Sequence, residues 1–193
     1  MPYSIRELPV LFNAPMVRAI LDGSKTQTRR PVKPPPDTCH GGDGLRLEPW
    51  TEKAWADPGL GDGAYLKVPY SESVQRHFAP WAIGAMLYVR ETWATVAGQP
   101  VYRASTGENS VRWRPSIHMP KWASRVHLRV TDVRVERVQS ISMADVNAEG
   151  FESCEEFEGC FRQTWDAVYS KQGFGWDVNP WVWAVAFERM EAR

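Results

Sequence analysis

With 193 residues, 43% of them hydrophobic and 24% charged, the chain has the composition of a folded globular protein, which excludes general disorder. Its 23 Lys and Arg residues balance 23 Asp and Glu residues, so binding of long duplexes by bulk electrostatics is disfavoured. Any nucleic-acid site must therefore be a local patch. We expect a single domain over residues 1–193.

The first predicted elements are a strand and a short helix. Pro9–Phe12 is an apolar run that is typical of a buried strand. Asn13 is suited to cap a helix, and Pro15 is tolerated in a first helical turn. Apolar residues then recur on one helical face until Gly23, which favours the end of the helix.

The next segment is polar and runs from Lys25 to Arg30. An extended backbone would place Thr26, Thr28 and Arg30 on one side of a strand. Lys25 and Gln27 would lie on the other side. Cations beside hydroxyl groups suit a phosphate or a polarised carbonyl oxygen. A solvated basic edge strand explains the same pattern equally well.

Residues 33–80 are predicted to form an irregular insertion in the domain. The stretch contains the runs PPP, GGDG and GLGDG, and Pro and Gly at that density forbid long regular elements. Its scattered Trp and Tyr residues indicate that it packs on another part of the protein. A substrate lid and a binding platform are both open as its role.

The second half of the chain contains the remaining predicted strands. Met86–Thr95 alternates, with Val101–Ala104 as a candidate partner. Arg125–Val138 has the clearest two-residue period, and a phase shift at Thr131 predicts a bulge or turn. Trp181–Phe187 is an apolar terminal strand.

Two helices are predicted between the last two strands. Ser142 opens the first with a capping-box pattern and Gly150 ends it, while Cys154–Tyr169 forms the second. Few helices and many strands distant in sequence predict an α+β fold. We expect a small β-barrel core with a few short flanking helices.

Two further clusters carry functional groups. Arg90 and Glu91 follow each other in a predicted strand, where a cross-strand ion pair is a simpler explanation than a catalytic carboxylate. His118, Trp122 and Arg125 combine an imidazole, an aromatic ring and a cation, which suits stacking on a base and contact with its phosphate. A loop whose Trp122 plugs the end of the barrel is at least as good an explanation.

No cofactor and no metal are expected. The three cysteines lack CxxC spacing, which argues against both a disulfide framework and a structural zinc site, and the four histidines are isolated from one another in sequence. The start of the chain has no signal-like pattern and no apolar run approaches membrane-spanning length. These features predict a cytoplasmic protein.

Five segments in consistent order resemble the motifs of ASCH domains, a branch of the PUA-like superfamily. Residues 22–30 resemble the signature G-x-K-T-x-T-x-R, and residues 84–92 resemble the strand G-D-x-L-x-V-R-E-T. Residues 141–150 end on the Glu-Gly pair of the family, and residues 181–187 resemble its closing strand. A longer form of the domain that contains residues such as 117–125 is similar to ASCH-like proteins of bacteriophages and prophages.

The resemblance implies a PUA-like barrel whose cleft takes RNA or a modified nucleoside. Small ASCH amidohydrolases remove the acetyl group of N4-acetylcytidine with a Lys, a Thr and a Glu, and these positions correspond to Lys25, Thr28 and Glu149. Ala85 stands where the motif has Asp. The residues expected to bind the nucleoside or nucleic acid are Thr26, Arg29, Arg30, Arg90, Glu91, His118, Trp122 and Arg125.

Three classes of function follow as hypotheses. The first is a hydrolase, acting on the amide of an acylated cytidine or, as a second choice, on single-stranded RNA as a ribonuclease. The second is a non-catalytic module that binds single-stranded RNA or a modified base. The third is a phage protein that binds a host protein through the aromatic residues of the insertion, which would leave Lys25 and Thr28 dispensable.

Overall fold

The computed structural model describes residues 7–32, 81–106, 111–151 and 157–190. The strands of this part are β1 (Leu8–Leu11), β2 (Gln27–Pro31), β3 (Met86–Arg90), β4 (Trp93–Val96), β5 (Gln99–Tyr102), β6 (His127–Arg137) and β7 (Trp181–Met190). The helices are α1 (Ala14–Asp22), α2 (Arg103–Thr106), α3 (Met143–Ala148) and α4 (Phe157–Tyr169). The predicted insertion, residues 33–80, lies outside the described residues.

The caps predicted for the first helix are confirmed. The Asn13 side chain accepts a hydrogen bond from the Met16 amide at 3.0 Å, and Gly23 ends α1 with a left-handed φ of 91°. Val17 and Ile20 form the buried face of α1 and join the main core. Because α1 is packed on the core and ends at a defined residue, the position of Lys25 beside the sheet is fixed.

The described strands form a five-stranded sheet in the order β1-β3-β6-β7-β2, and β4 and β5 form a separate hairpin. β1 and β3 are parallel, and the other pairs of the sheet are antiparallel. The mixed α+β class is therefore confirmed. Within the described residues β1 and β2 are the two edge strands and do not pair with each other, so the sheet is not closed into a barrel.

β6 and β7 form the centre of the sheet. The predicted bulge is present as a shift of register between Val130 and Asp132. β7 extends three residues beyond the predicted Phe187, and it pairs with β2 on one side and β6 on the other. Val182 and Val185 are fully buried, which is expected for the central strand of a sheet that is covered on both faces.

The prediction of one strand over Met86–Thr95 is wrong. The chain leaves the main sheet after Arg90, and Trp93–Val96 pairs instead with the following Gln99–Tyr102. Between the two strands, the buried carboxylate of Glu91 binds Arg125. Leaving a buried carboxylate without a cation would cost more free energy than ending the strand at Arg90, so the chain turns to pair Glu91 with Arg125.

The helices after β6 follow the predicted signals. Ser142 and Asp145 form a reciprocal capping box at the start of α3, and α3 ends at Ala148. α4 is described from Phe157, because the predicted start at Cys154 lies outside the described residues. No helix in the described ranges is long and apolar enough to cross a membrane.

The cysteine pattern did not predict a disulfide bond that the structure contains. Cys160 in α4 is disulfide-bonded, although the odd number of cysteines and their spacing argued against a disulfide framework. The other two cysteines, Cys39 and Cys154, lie outside the described residues. An odd count excludes pairing of all cysteines, but it leaves room for one bond.

Candidate functional site

Lys25 and Glu149 form a buried ion pair across 124 residues of sequence. The Lys25 Nζ donates to Glu149 Oε2 at 2.7 Å and to the Glu149 backbone oxygen at 2.9 Å. The backbones of the two residues also form an isolated antiparallel bridge. Both side chains are almost completely buried, so neither charge is compensated by bulk water.

Gly150 explains how the two segments come so close. It has a left-handed φ of 92°, and a Cβ atom at this position would lie 3.0 Å from the Cβ of Ala19 and 3.2 Å from the Cβ of Lys25. A larger residue would therefore be strained in backbone and would push α3 away from α1 and Lys25. The Glu-Gly sequence at residues 149–150 thus sets the carboxylate against Lys25.

Arg29 extends this pair into a network. Its guanidinium is buried, with Nη1 at 3.3 Å from Glu149 Oε1 and Nη2 at 3.3 Å from Asp145 Oδ2. Nη2 also forms a short ion pair with Glu136. One arginine therefore connects β2 to β6 and to both ends of α3.

Arg134 completes the network on β6. It donates to Glu136 Oε2 at 3.1 Å and to Gln27 Oε1 at 3.0 Å, and it forms a short ion pair with Asp145. Arg29 and Arg134 are both in register with Ala184 of β7, whose small side chain leaves room for two guanidinium groups. The network contains three cations (Lys25, Arg29 and Arg134) and three carboxylates (Glu136, Asp145 and Glu149).

Thr28 lies on the face of β2 opposite to that of its neighbour Arg29, as the two-residue period of a strand requires. Its hydroxyl is buried and accepts a hydrogen bond from Arg30 Nη1 at 2.6 Å. The Phe12 ring has Arg30 Cζ at 5.3 Å and Lys25 Nζ at 5.8 Å from its centroid. Phe12 therefore adjoins both Lys25 and the Arg30 that holds Thr28.

Thr26 connects the elements through its backbone. Its amide donates to the Ala148 oxygen at 2.8 Å, and its own oxygen accepts from the Phe187 amide at 2.8 Å. The side chain is exposed. Thr26 thus fixes the end of α3 to β7 next to Lys25.

Burial sets the protonation of the site. It lowers the pKa of Lys25 below the usual lysine value, although Glu149 opposes this effect, and the nearby cations Arg30 and Arg29 lower the pKa further. The neutral amine of Lys25 therefore forms at a lower pH than that of an exposed lysine.

At Asp145, unlike at Lys25, the neighbouring groups outweigh the effect of burial on the pKa. Burial alone would raise the pKa of its carboxyl. The hydroxyl of Ser142, together with the cations Arg29 and Arg134, outweighs burial and holds that pKa well below the usual range. The carboxylate therefore stays charged in acid where an ordinary aspartate is protonated.

This shift predicts an acid dependence of stability. Because the folded pKa of Asp145 is below the unfolded value of about 4, its contribution is complete above that value and is lost as the pH falls further. Asp145→Asn is expected to reduce the steepness with which the free energy of unfolding falls below about pH 4. Urea unfolding at stepped pH measures this slope. The exposed Asp177→Asn is the control, and equal slopes in the two variants would contradict the prediction.

Glu91 and Arg125 form a second, separate ion pair. Arg125 Nε and Nη2 lie 2.8 and 3.1 Å from the two carboxylate oxygens of Glu91, which is a two-bond geometry. Arg125 also packs over the ring of Tyr102 at 4.1 Å and donates to the Ser105 hydroxyl at 2.7 Å. Its guanidinium is thus largely occupied by the protein itself.

The loop before β6 is exposed. Trp122 has 67% of its surface exposed and meets the buried Trp93 edge-on, with 5.9 Å between ring centroids. His118 is also exposed, and Arg90 Nη1 donates to the backbone oxygen of Ile117 at 3.2 Å. The structure therefore presents Trp122 and His118 to solvent but places Arg125 inside an ion pair.

The residues selected from sequence fall into two groups. Lys25, Arg29 and Glu149 meet in the buried network, with Thr28 and Arg30 on the other face of β2. Arg90 and Glu91, at the end of β3, contact the loop before β6, which carries His118, Trp122 and Arg125. Sequence reasoning missed the network members Gln27, Arg134, Glu136 and Asp145.

No family model, no curated protein and no solved structure matches this chain. Among the residues that the structure describes, no group of three or more His, Cys, Asp or Glu side chains is placed to hold a metal ion. The fold and site thus define a mixed α+β protein with a buried lysine–glutamate pair at the edge of its sheet.

Proposed function

We propose that this chain is an ASCH-type protein of the PUA-like superfamily that hydrolyses the amide of an N4-acylcytidine. Lys25, Thr28 and Glu149 carry the reaction in this proposal. The observation that supports it best is the buried 2.7 Å contact between Lys25 and Glu149, two residues that are 124 positions apart. Perturbed ionisable groups that are buried together are typical of catalytic sites, although structural ion pairs share this property.

The same proposal includes a PUA-like barrel. It is supported by a contact between the two edge strands of the described sheet, since Arg30 Nη2 on β2 donates to the Leu11 oxygen at the end of β1 at 3.1 Å. The edges therefore approach each other at the end of the sheet where Thr28 lies.

The reaction requires two specific protonation states. Transfer of the shared proton from Lys25 to Glu149 converts the ion pair into a neutral amine and a carboxylic acid. Burial favours this neutral pair because it disfavours both charged forms. Arg29 opposes the transfer, since its cation lies 3.3 Å from Glu149 Oε1.

The neutral pair would supply both a base and an acid. Lys25 takes the proton of the Thr28 hydroxyl as its oxygen attacks the amide carbon, and the carbonyl π electrons move to oxygen. When the tetrahedral intermediate collapses, the C–N bond breaks and Glu149 gives a proton to the departing N4 amine. Water then hydrolyses the threonyl ester, which releases the acid and restores Thr28.

A second candidate is a module that binds a modified base or single-stranded RNA without catalysis. It is favoured by the hydrogen bond that Thr28 accepts from Arg30 at 2.6 Å, because this bond draws electron density from the oxygen that must attack. The Lys25–Glu149 pair would then serve only to hold α3 against β2.

Product analysis tests the proposal. Purified protein is incubated with N4-acetylcytidine and, separately, with single-stranded RNA, and the products are identified by mass spectrometry. We expect cytidine and acetate from the first substrate and intact RNA from the second. Cleaved RNA would indicate a ribonuclease instead, and two unchanged substrates would favour the binding module.

A further inference from the structure

Three alternate residues, at and just before β2, face the helix α3. Lys25, Gln27 and Arg29 are all almost completely buried, and each contacts a carboxylate of α3 or of its C-cap. The two carboxylates, those of Asp145 and Glu149, are four residues apart and so lie on one side of the helix. The two-residue period of the strand therefore matches one turn of the helix, and Gln27 is the uncharged residue among these five.

The amide of Gln27 lies between an anion and a cation. Its Nε2 donates to Asp145 Oδ1 at 3.1 Å, and its Oε1 accepts from Arg134 Nη1 at 3.0 Å. The opposite orientation would set the amide NH₂ group against a guanidinium and the amide oxygen against a carboxylate, with no hydrogen bond to either. Both ends of the amide are therefore fixed, and Gln27 connects α3 to β6 through β2.

The position of α3 depends on such connections because the helix is short. A helix of six residues is not stable by itself in water, so contacts with the rest of the protein hold it in place. The Asp145 carboxylate holds its first turn on two sides: Oδ2 accepts from the Ser142 hydroxyl at 2.8 Å, and Oδ1 accepts from the Gln27 amide. The other end of α3 carries Glu149 at its C-cap. A displacement of Asp145 would therefore also displace the Glu149 carboxylate from its buried cation.

Gln27 contributes to this arrangement without a charge of its own. The charged groups that change the pKa of Lys25 are Glu149, which raises it, and Arg30 and Arg29, which lower it. Replacement of Gln27 by another neutral residue leaves all of these charges in the protein. Any resulting change in the pKa of Lys25 must then come from a change in their positions or in the burial of the lysine.

We propose that Gln27 is a positioning residue that holds α3 so that the Glu149 carboxylate stays in contact with Lys25. It acts through Asp145, which it binds directly. The catalytic meaning of this contact rests on the proposed function, whereas the contact itself does not. In the proposed reaction the amide of Gln27 sets the distance over which the shared proton moves and the place from which Glu149 protonates the departing amine.

Steady-state hydrolysis of N4-acetylcytidine tests the catalytic part of the proposal. Gln27→Met fills a similar volume, removes both hydrogen bonds and adds no charge. We expect kcat to fall by about 10–10²-fold, the range for a small misplacement of a catalytic group, while KM stays within about twofold. Gln27→Asn keeps an amide on a side chain that is one carbon shorter, so kcat should fall by a smaller factor. This milder variant carries the test if Gln27→Met does not fold.

The ionisation of Lys25 provides a measurement that needs no substrate. NMR titration of the isotope-labelled Lys25 Cε signal, identified by its absence in Lys25→Arg, follows the pKa of this residue. We expect the pKa in Gln27→Met to lie below that of the wild type, because the contact with Glu149 raises it and burial is retained. An unchanged pKa, or a rise that indicates hydration of the lysine, would overturn the proposal.

Gln139→Met is the matched control, since it makes the same chemical change shortly before the start of α3. The Gln139 Nε2 donates to the backbone oxygen of Trp176 at 2.9 Å, so its side-chain hydrogen bond lies outside the buried network. This variant should leave both kcat and the pKa of Lys25 at their wild-type values. Equal changes in Gln139→Met and Gln27→Met would indicate general loosening and would overturn the assignment to Gln27.

The two measurements together separate this proposal from the proposed function. If the wild type does not hydrolyse the nucleoside but the pKa of Lys25 falls in Gln27→Met, the proposed function fails, whereas control of the Lys25–Glu149 contact by Gln27 stands. If the wild type is active and Gln27→Met changes neither kcat nor the pKa, the proposed function stands and this proposal fails. A loss of kcat with an unchanged pKa would show that Gln27 acts by another route, which also overturns it.

Discussion

Lys25→Arg is expected to lower kcat for hydrolysis of N4-acetylcytidine by about 10²–10⁴-fold, which is the contribution of a general base. Arginine keeps the positive charge that pairs with Glu149, but its guanidinium does not lose a proton in the accessible pH range. The variant should therefore retain KM within a small factor while turnover fails. Steady-state kinetics measured by chromatographic separation of cytidine provide the test.

The pH dependence gives the same residue a second signature. Because burial lowers the pKa of Lys25, the neutral amine forms below the ordinary lysine pKa of 10.5. The kcat of the wild type should fall as the pH rises through this lowered pKa, because loss of the shared proton leaves Glu149 with none to give to the departing amine; Lys25→Arg should show no such fall. Full activity in Lys25→Arg would remove the residue from the mechanism.

Thr28→Val serves as the companion variant, since the arginine at position 25 is larger and lies against the tightly packed Gly150. Valine has nearly the shape of threonine but no nucleophile, so it should abolish turnover, while the lost acceptor of Arg30 should lower the thermal midpoint by about 2–4 °C. Thr28→Ser restores a hydroxyl and should recover part of the activity. The binding-module alternative predicts instead that Lys25→Arg and wild type capture RNA equally well.

The sequence predicted those parts of the fold that depend on neighbouring residues. The caps of α1, the capping box of α3 and the bulge in β6 all arise from side chains within a few positions of the backbone groups that they affect. Such local signals are legible without knowledge of the tertiary structure.

The buried network was not predictable in this way. Arg29 meets Glu136 and Glu149 across 107 and 120 residues of sequence, and nothing in the local pattern indicates those partners. On β6 the charged residues alternate with valines, which by itself is typical of a solvated face. This face is covered by α3 and by Phe161 of α4, and the strand pattern does not contain that information.

The strand predicted over Met86–Thr95 failed for a related reason. Alternation favours continuation through Glu91, but the structure ends β3 at Arg90 and binds the carboxylate with Arg125, 34 residues away. The position of a buried charged side chain is therefore determined by its distant partner rather than by the period of its own strand. The family motifs, in contrast, had selected Lys25 and Glu149, whereas spacing alone gave no reason to choose Glu149.

Arg29→Met is expected to lower the free energy of unfolding by about 3–5 kcal/mol, the usual cost of removing one partner from a buried ion pair. Methionine fills much of the volume but leaves the Glu136 carboxylate, only 3% exposed, with Arg134 as its remaining cation in the network. Arg129→Met is the matched control. Arg129 lies on β6 rather than β2, and its pair with Glu188 is about half exposed, so its loss should cost less than about 1 kcal/mol.

The pH dependence of this loss identifies its cause. As the pH falls, the carboxylate of Asp145 gains a proton more readily in Arg29→Met than in the wild type, because Arg29 is one of the groups that lower its pKa. The difference in the free energy of unfolding should therefore narrow as the pH falls below about 4, as measured by urea unfolding. A constant difference would instead indicate lost packing, and a loss no larger than that of Arg129→Met would show that the network contributes little to stability.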